Sequence, residues 1–154
     1  MAADQSRGLA KDTMIETAEG PVAMCETPNK GFAVMTRMHG RIAFRQLIKL
    51  TTQVGVPLVR VTLDTGHRIV AAAGHPFFRL GMESVPAREL KAGDVLETAF
   101  NYREGYVPPD AGGFTWRPGI GVAAVEAAGE GEVLTGTVRD THTLFLTAGV
   151  LCGE

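Results

Sequence analysis

The sequence has few cysteines and little net charge, and each shortage excludes a class of protein. Two cysteines in 154 residues, Cys25 and Cys152, do not form a disulfide framework, and they leave their pairing and the redox compartment open. Fifteen Lys and Arg residues against seventeen Asp and Glu residues give a formal net charge of −2. Because the basic residues are scattered, the sequence predicts no binding to nucleic acid or to an anionic membrane surface.

The sequence also lacks long apolar runs and the common catalytic motifs. No apolar stretch approaches the roughly 18 residues that span a bilayer, and the opening residues MAADQSRGLAKD contain no apolar signal-peptide core. We therefore expect a soluble chain without membrane attachment, whose localisation stays undetermined. A phosphate-binding glycine loop, a Gly-X-Ser-X-Gly elbow and a paired-carboxylate motif are all missing, which argues against most hydrolases and nucleotide enzymes. No cofactor is expected.

Glycine and proline are abundant, and they recur between short apolar runs. Nineteen glycines and eight prolines in this arrangement predict an all-β fold with many turns. The length suits a single domain over residues 1–154 with one buried core. We predict strands at 13–18, 22–25, 31–35, 57–63, 67–71, 95–100, 122–125, 133–138, 143–146 and 150–151.

The sequence further predicts how some strands pair and what several segments between them form. The second and third strands are predicted to form a hairpin, and so are 57–63 and 67–71, which flank an Asp-Thr-Gly turn. Residues 41–54 fit both a helical stripe and a strand, and the strand is favoured. Residues 85–94 predict one short helical turn, because proline stands at its start and glycine beyond its end. Residues 101–121, rich in glycine and proline, predict a long surface loop.

Two of the four histidines are candidates for chemistry. His39 and His67 lie in a turn and just after a hairpin glycine, where a structural role is the default. His75 is followed by Pro-Phe-Phe, so its ring is expected among apolar neighbours, either as a core histidine or as a proton donor near neutral pH. The same alternatives hold for His142. A zinc site from His75, His142 and Cys152 is conceivable by ligand type, but no ligand pair has metal spacing, and no metal is expected.

Four segments together resemble the motifs of Hint domains, the self-processing modules of inteins, bacterial intein-like proteins and hedgehog proteins. Residues 8–15, GLAKDTMI, resemble the opening motif, typically Cys-Leu-Ala-X-Asp-Thr-X-Ile. Residues 64–69 with His75-Pro76-Phe77 resemble the second motif, and residues 90–94, LKAGD, resemble the Leu-Lys-X-Gly-Asp element. Residues 138–143, VRDTHT, followed by AGVL are similar to the penultimate motif. The match runs in the right order from about residue 8 to residue 152, and bacterial intein-like domains and mini-inteins are the most similar groups.

The resemblance implies a horseshoe-like all-β fold with pseudo-two-fold symmetry, in which both chain ends meet at one site. In such domains a first-residue Cys or Ser attacks the preceding carbonyl and replaces an amide by a (thio)ester, and a terminal Asn later cyclises. It implies that His75 is the proton donor at the Arg7–Gly8 bond and that His142 assists at the C-terminal junction. It also implies that flanking host-protein segments, the exteins, are partners in cis. We expect a monomer without an inserted endonuclease.

This sequence departs from the family pattern at each reactive end. Gly8 stands at the nucleophile position, and Ala72 stands where a Thr is usual three residues before His75. Thr135 replaces the Asp or Asn common seven residues before His142, and Gly153-Glu154 stands where His-Asn would end the domain.

These departures leave two functional hypotheses. The first is a self-processing domain, for splicing or autoproteolytic cleavage at its own termini, that is inactive or attenuated in this form. The alternative is a non-catalytic Hint-fold interaction module of a larger secreted or phage-borne protein. Cys152 is either a displaced nucleophile near the C-terminal end or a small buried hydrophobe, and the second role is the commoner one for such a cysteine.

Overall fold

The computed structural model describes residues 6–29, 33–98 and 119–154, and its regular structure is almost entirely β. Two short 3-10 turns, Met24–Glu26 and Ala87–Glu89, are the exceptions among these residues. The predicted all-β class is therefore confirmed. The strands are β1 (Met14–Thr17), β2 (Gly20–Ala23), β3 (Ala33–Met38), β4 (Arg41–Leu63), β5 (Arg68–Ala72), β6 (Pro76–Arg79), β7 (Glu83–Pro86), β8 (Val95–Leu96), β9 (Ile120–Val138), β10 (Thr143–Phe145) and β11 (Leu151–Gly153).

Two long antiparallel strands, β4 and β9, form the centre of the fold. They pair from Leu47 opposite Val138 to Leu63 opposite Val122, with four register shifts on the way. The sequence prediction divided each of them into two shorter strands, and this was wrong. Gly55 and Gly129 have positive φ values of 67° and 77° inside continuous strands. A glycine with positive φ permits the local irregularity of a bulge, so the pairing continues past it.

The first half of β4 pairs with β3 and its second half pairs with β5. The hairpin predicted for 57–63 and 67–71 is confirmed by the pairing of Leu58 with Ala72 through Thr62 with Arg68. The hairpin predicted between the second and third strands is wrong, because β2 pairs with β1, and β1 lies between β2 and β3 in the sheet. The positive φ of Gly20 permits the tight turn through which β1 pairs with β2. The turn at His39-Gly40 pairs β3 with β4, the strand that follows it.

Smaller differences concern the segments between these strands. Met24 and Cys25, predicted as strand, begin a 3-10 turn, and β7 was not predicted. The helical turn predicted within 85–94 is a single 3-10 turn after β7. Residues 31, 32, 99 and 100 of predicted strands lie outside the described residues, as does the predicted loop up to residue 118. The remainder of that loop was predicted wrongly, because β9 already begins at Ile120.

The first and last described segments of the chain contact the neighbouring strands β5 and β6, respectively. Leu9 is fully buried and makes isolated bridges to Leu134 and to Ala71. At the other end, β11 pairs with β6 through Cys152 and Phe77. The described residues form no helix that is long and apolar enough to cross a membrane. The fold thus places the first and last described segments of the chain beside the same stretch, which includes His75.

A buried ion pair stabilises one side of the fold. Arg37 on β3 contacts Glu97 at 2.8 Å, and their side chains are 14% and 7% exposed. The second oxygen of Glu97 accepts a hydrogen bond from the Gly81 amide at 2.7 Å. Burial alone would raise the pKa of Glu97, but the hydrogen bonds from Arg37 and from the backbone of Gly81 and Met82 outweigh it, and this pKa lies below its ordinary value of 4.5.

Replacing Glu97 by Gln is expected to lower the free energy of unfolding at pH 7 by roughly 3 kcal/mol, because it leaves the Arg37 charge buried without its partner. The depressed pKa means that the contribution of Glu97 is complete above pH 4.5 and is lost as the pH falls through the folded-state pKa. The deficit of the variant should therefore shrink in acid. Chemical denaturation of both proteins from pH 7 to pH 3 measures it.

The matched control is Glu83→Gln, because Glu83 also contacts an arginine but is 61% exposed. Its cost should stay below about 1 kcal/mol at every pH. Equal costs for the two variants would contradict a stabilising role for the buried pair.

Candidate functional site

The backbone of Gly8 is held by hydrogen bonds on both sides. Its N–H donates to Nδ1 of His75 at 3.0 Å, and its carbonyl accepts from the Ala72 amide at 2.9 Å. The next residue, Leu9, exchanges two backbone hydrogen bonds with Leu134, of 3.0 and 2.9 Å. The segment is thereby fixed between β5 and β9. The nitrogen of the Arg7–Gly8 peptide bond directly contacts an imidazole.

His75 lies between β5 and β6 and is fully buried. Its ring meets that of Phe77 edge to face, with centroids 5.6 Å apart. Because Nδ1 accepts the Gly8 proton, the neutral ring carries its own proton on Nε2. Nε2 has no hydrogen-bond partner among the described residues.

The surroundings of His75 strongly disfavour its charged form. Burial is the largest cause that lowers its pKa, from 6.5 to about 3. The positive charge of Arg7 lowers the pKa further. The nearby backbone of Gly153 raises the pKa in part, although it does not complete a hydrogen bond to Nε2. The ring is therefore neutral at physiological pH.

The space that a side chain at position 8 would need is filled. Gly8 has a φ of +132°, and a Cβ built on it would lie 2.7 Å from Cγ2 and 2.8 Å from Cβ of Val133. Val133 is fully buried, so neighbouring atoms oppose its displacement. Sequence reasoning missed Val133, because a valine within a strand carries no signal of its own. Ala72, the other substituted position, is buried beside Gly8 and offers only a methyl group.

At the C-terminal side, the carboxylate of Glu154 is bound at both oxygens. Oε1 lies 3.0 Å from Nδ1 of His142, and Oε2 accepts a hydrogen bond of 2.5 Å from the Val138 amide. The Glu154 side chain is 13% exposed, whereas that of His142 is 65% exposed. A Cβ at Gly153 would overlap Cγ of Pro76. Glycine is thus enclosed by a neighbour at both substituted ends.

A cavity of about 270 Å³ connects the two ends. It is lined by Ser6 and Arg7, which precede Gly8, and by Glu154. Thr135, the third substituted position, lines the same cavity together with Gln53 and Gly136. The predicted site residues therefore form two neighbouring groups. Gly8, Ala72 and His75 surround the N-terminal peptide bond, while Thr135 and Glu154, which is paired with His142, line the same cavity as Arg7.

Cys152 belongs to the hydrophobic core. It is fully buried opposite Phe77, and burial raises the pKa of its thiol, so the reactive thiolate is disfavoured. Cys25 is exposed, and both cysteines are free thiols. Within the part of the chain that the structure describes, no three His, Cys, Asp or Glu side chains converge on a point where a metal ion could bind.

The arrangement is similar to that of solved intein structures over nearly the whole chain. A bacterial intein-like domain from Clostridium thermocellum has a TM-score of 0.72 at 21% identity, covering 98% of this chain and 100% of that one. A DnaB intein from Synechocystis sp. PCC 6803 has a TM-score of 0.71 at 14% identity, with 97% and 99% covered. The Msm DnaB1 intein splicing domain, solved with zinc, has a TM-score of 0.67 at 19% identity, with 95% and 99% covered.

These similarities identify the fold of the chain. No protein-family model and no curated protein sequence matches it. The structural similarity nevertheless extends over almost all of each compared chain, and the compared proteins are inteins or intein-like domains. The chain has the Hint fold, as the sequence motifs predicted.

The low pKa of His75 predicts a specific dependence of stability on pH. An unfolded His75 binds a proton below about pH 6.5, whereas the folded one resists protonation down to about pH 3. The wild-type protein should therefore lose stability as the pH falls through this window, at up to about 1.4 kcal/mol per pH unit, and His75→Gln should lack this component. Denaturant unfolding at pH 7, 6, 5 and 4 measures the difference.

Replacement of the exposed His67 by Gln controls for the loss of one titratable group, and it should keep the wild-type slope. The ring of His75, followed by NMR, should show no titration between pH 8 and pH 5. A ring that titrates near pH 6.5 would contradict the conclusion that burial lowers the pKa of His75.

Proposed function

We propose that this chain is a self-processing domain that acts on the peptide bonds at its own ends, and that its activity is attenuated in this form. The observation that carries the proposal is the 3.0 Å hydrogen bond from the Gly8 amide to Nδ1 of a fully buried His75. The contact places Nδ1 within hydrogen-bond distance of the nitrogen that must gain a proton when the Arg7–Gly8 bond breaks; the neutral ring accepts from this nitrogen, and only a protonated Nδ1 donates to it. The partners are the flanking segments of a host protein, joined in cis, and no cofactor takes part.

The chemistry follows from the weakness of an amide as a leaving group. Its nitrogen leaves readily only after it gains a proton, and a histidine with a low pKa gives up its proton easily once it is protonated. The bond of interest must also be attacked at the Arg7 carbonyl carbon by a nucleophile held beside it. His75 is placed to meet the first requirement in its protonated form. Gly8 has no side chain that could supply the second.

The packing at both ends supports attenuation. Val133 occupies the space of a side chain at position 8, and Pro76 occupies that of a side chain at position 153. The carboxylate of Glu154, held by His142 and by the Val138 amide, is directed towards these donors. An ionised carboxylate with both oxygens hydrogen-bonded is a weak nucleophile towards its own backbone carbonyl. Each end of the domain therefore retains the assisting group while the attacking group is absent or restrained.

The same packing favours a second candidate function. A nucleophile position that is filled by a buried valine suits a Hint-fold module that binds or spaces other parts of a larger protein without cleaving. In either case we take residues 1–154 as one domain and as a monomer. The two functions differ in whether restored side chains restore cleavage.

The first test repairs the N-terminal half of the site. The chain is placed between two reporter domains with residues 1–7 kept, as wild type, as Gly8→Cys, and as Gly8→Cys combined with Val133→Gly and Ala72→Thr. The wild type and the single variant should stay intact in dithiothreitol. The triple variant should be cleaved at the bond between residues 7 and 8, because Val133→Gly removes both Cβ and Cγ2, the two side-chain atoms that would overlap a Cβ at position 8. Intact-mass spectrometry over time follows the fragments.

Adding His75→Ala to the triple variant is the control, and it should reduce cleavage at least about 100-fold, the typical contribution of a positioned proton donor. A triple variant that folds but stays intact would reject self-processing and leave the binding module. Backbone amide NMR spectra establish whether each variant is folded.

The second test repairs the C-terminal half. Gly153→His and Glu154→Asn are introduced together with Pro76→Ala, which removes the ring that would overlap the new side chain. Cleavage after residue 154 should appear, and His142→Ala in the same background should slow it by about 10-fold or more, because His142 contacts the residue at this position. Cleavage that is indifferent to His142 would remove this histidine from the C-terminal step.

A further inference from the structure

The hydroxyl group of Thr36 is a buried polar link to the segment that carries His142. Thr36 is on β3 and is fully buried. Its Oγ1 donates to Oγ1 of Thr141 at 2.8 Å and lies 2.9 Å from Oγ1 of Thr143. In the order of the described sheet, five strands lie between β3 and β10, so no ladder of backbone hydrogen bonds joins them. The three hydroxyl groups join the two elements where they pack together.

His142, which lies between Thr141 and Thr143 in the sequence, has an unfavourable backbone conformation. His142 has a φ of 58°, in the left-handed region that is unfavourable for a residue with a side chain. Its amide donates to the carbonyl of Val138 at 3.0 Å. The hydroxyl of Thr141 also reaches the carbonyl of Thr143 at 3.4 Å, across the turn that contains His142. A conformation of this kind persists only where surrounding contacts determine it.

We propose that Thr36 is a positioning residue that keeps His142 in its left-handed conformation and its ring against Glu154. Thr36 fixes the residues before and after His142, and this orients the backbone from which the ring projects. Val138 completes the arrangement, because its carbonyl accepts from His142 and its amide donates to Glu154. The role of His142 in C-terminal cleavage rests on the proposed function, whereas its placement by Thr36 does not.

The test compares Thr36→Val with Thr36→Ser in the full chain. Valine has the shape of threonine without the hydroxyl group, so it leaves the hydroxyl groups of Thr141 and Thr143 without this partner. Serine keeps the hydroxyl group and loses only a methyl group. The Cα and Cβ chemical shifts of residue 142 report its φ, NOEs report the contact of its ring with Glu154, and amide exchange reports the Val138 hydrogen bond.

Thr36→Val should shift the residue 142 carbons away from left-handed values, remove the ring contact with Glu154 and speed Val138 amide exchange at least about fivefold, as expected for the loss of a buried hydrogen bond. Thr36→Ser should keep all three near wild type, and exchange of the Val61 amide in the central pair should report global stability. Thr141→Val breaks one arm of the same link and should reproduce the local effects if Thr36→Val does not fold.

In the chain repaired at both ends, Thr36→Val should slow C-terminal cleavage at least about fivefold and leave N-terminal thiolysis within about twofold, because His75 does not contact this cluster. Unchanged shifts and exchange at residues 138 and 142 in Thr36→Val would overturn the proposal, and so would equal effects of valine and serine. Altered NMR parameters in a chain that never cleaves would support the positioning role and count against the proposed function alone.

Discussion

The antiparallel pairing of β4 with β9 is the constraint on which the rest of the structure depends. The strand β5, which leads to His75, is paired to β4, whereas Val133, Leu134, Thr135 and Val138 lie on β9. The contacts that define the N-terminal group therefore join β5, the partner of β4, to β9 through Gly8 and Leu9. A slip of one residue between the long strands would turn Val133 away from Gly8 and present Leu134 instead. Four register shifts within the pair make its alignment specific, because each irregularity fits only one alignment.

The two ends of the domain share one physical feature. At Gly8 and at Gly153 a neighbouring side chain, Val133 or Pro76, occupies the volume that a side chain at the glycine would need. Protein interiors are close-packed, so a side chain lost from a buried site leaves a cavity unless neighbours fill it. Filling restores packing but raises the cost of reintroducing the lost side chain. The packing at both ends is thus a stable arrangement in its own right, and a side chain introduced at position 8 alone meets a steric barrier.

Sequence patterns predicted the parts of the fold that are determined locally. Alternation around an Asp-Thr-Gly turn specified the β4–β5 hairpin, and Pro-Phe-Phe after His75 indicated an apolar setting for its ring. The division of β4 and β9 was wrong because a glycine in a bulge and a glycine in a turn look alike in sequence; only the partner strand distinguishes them. The pairing of β2 with β1 depends on the competition between two turns. Val133 and Thr36 act through distant partners, and no local pattern reveals such contacts.

The anchoring of Leu9 bears on the reversibility of any cleavage at the Arg7–Gly8 bond. Leu9 is fully buried and paired with β9, so Gly8 would remain in place after the bond had broken. Its new α-amino group would lie beside Nδ1 of a buried imidazole, where a charged ammonium is poorly solvated and the neutral amine is favoured. In a chain with Cys at position 8, this neutral amine is itself a nucleophile, placed beside the thioester that the Cys side chain forms with the carbonyl carbon of residue 7. Forward progress would therefore depend on how quickly the departing segment moves away, and the domain would hold one product while the other escapes.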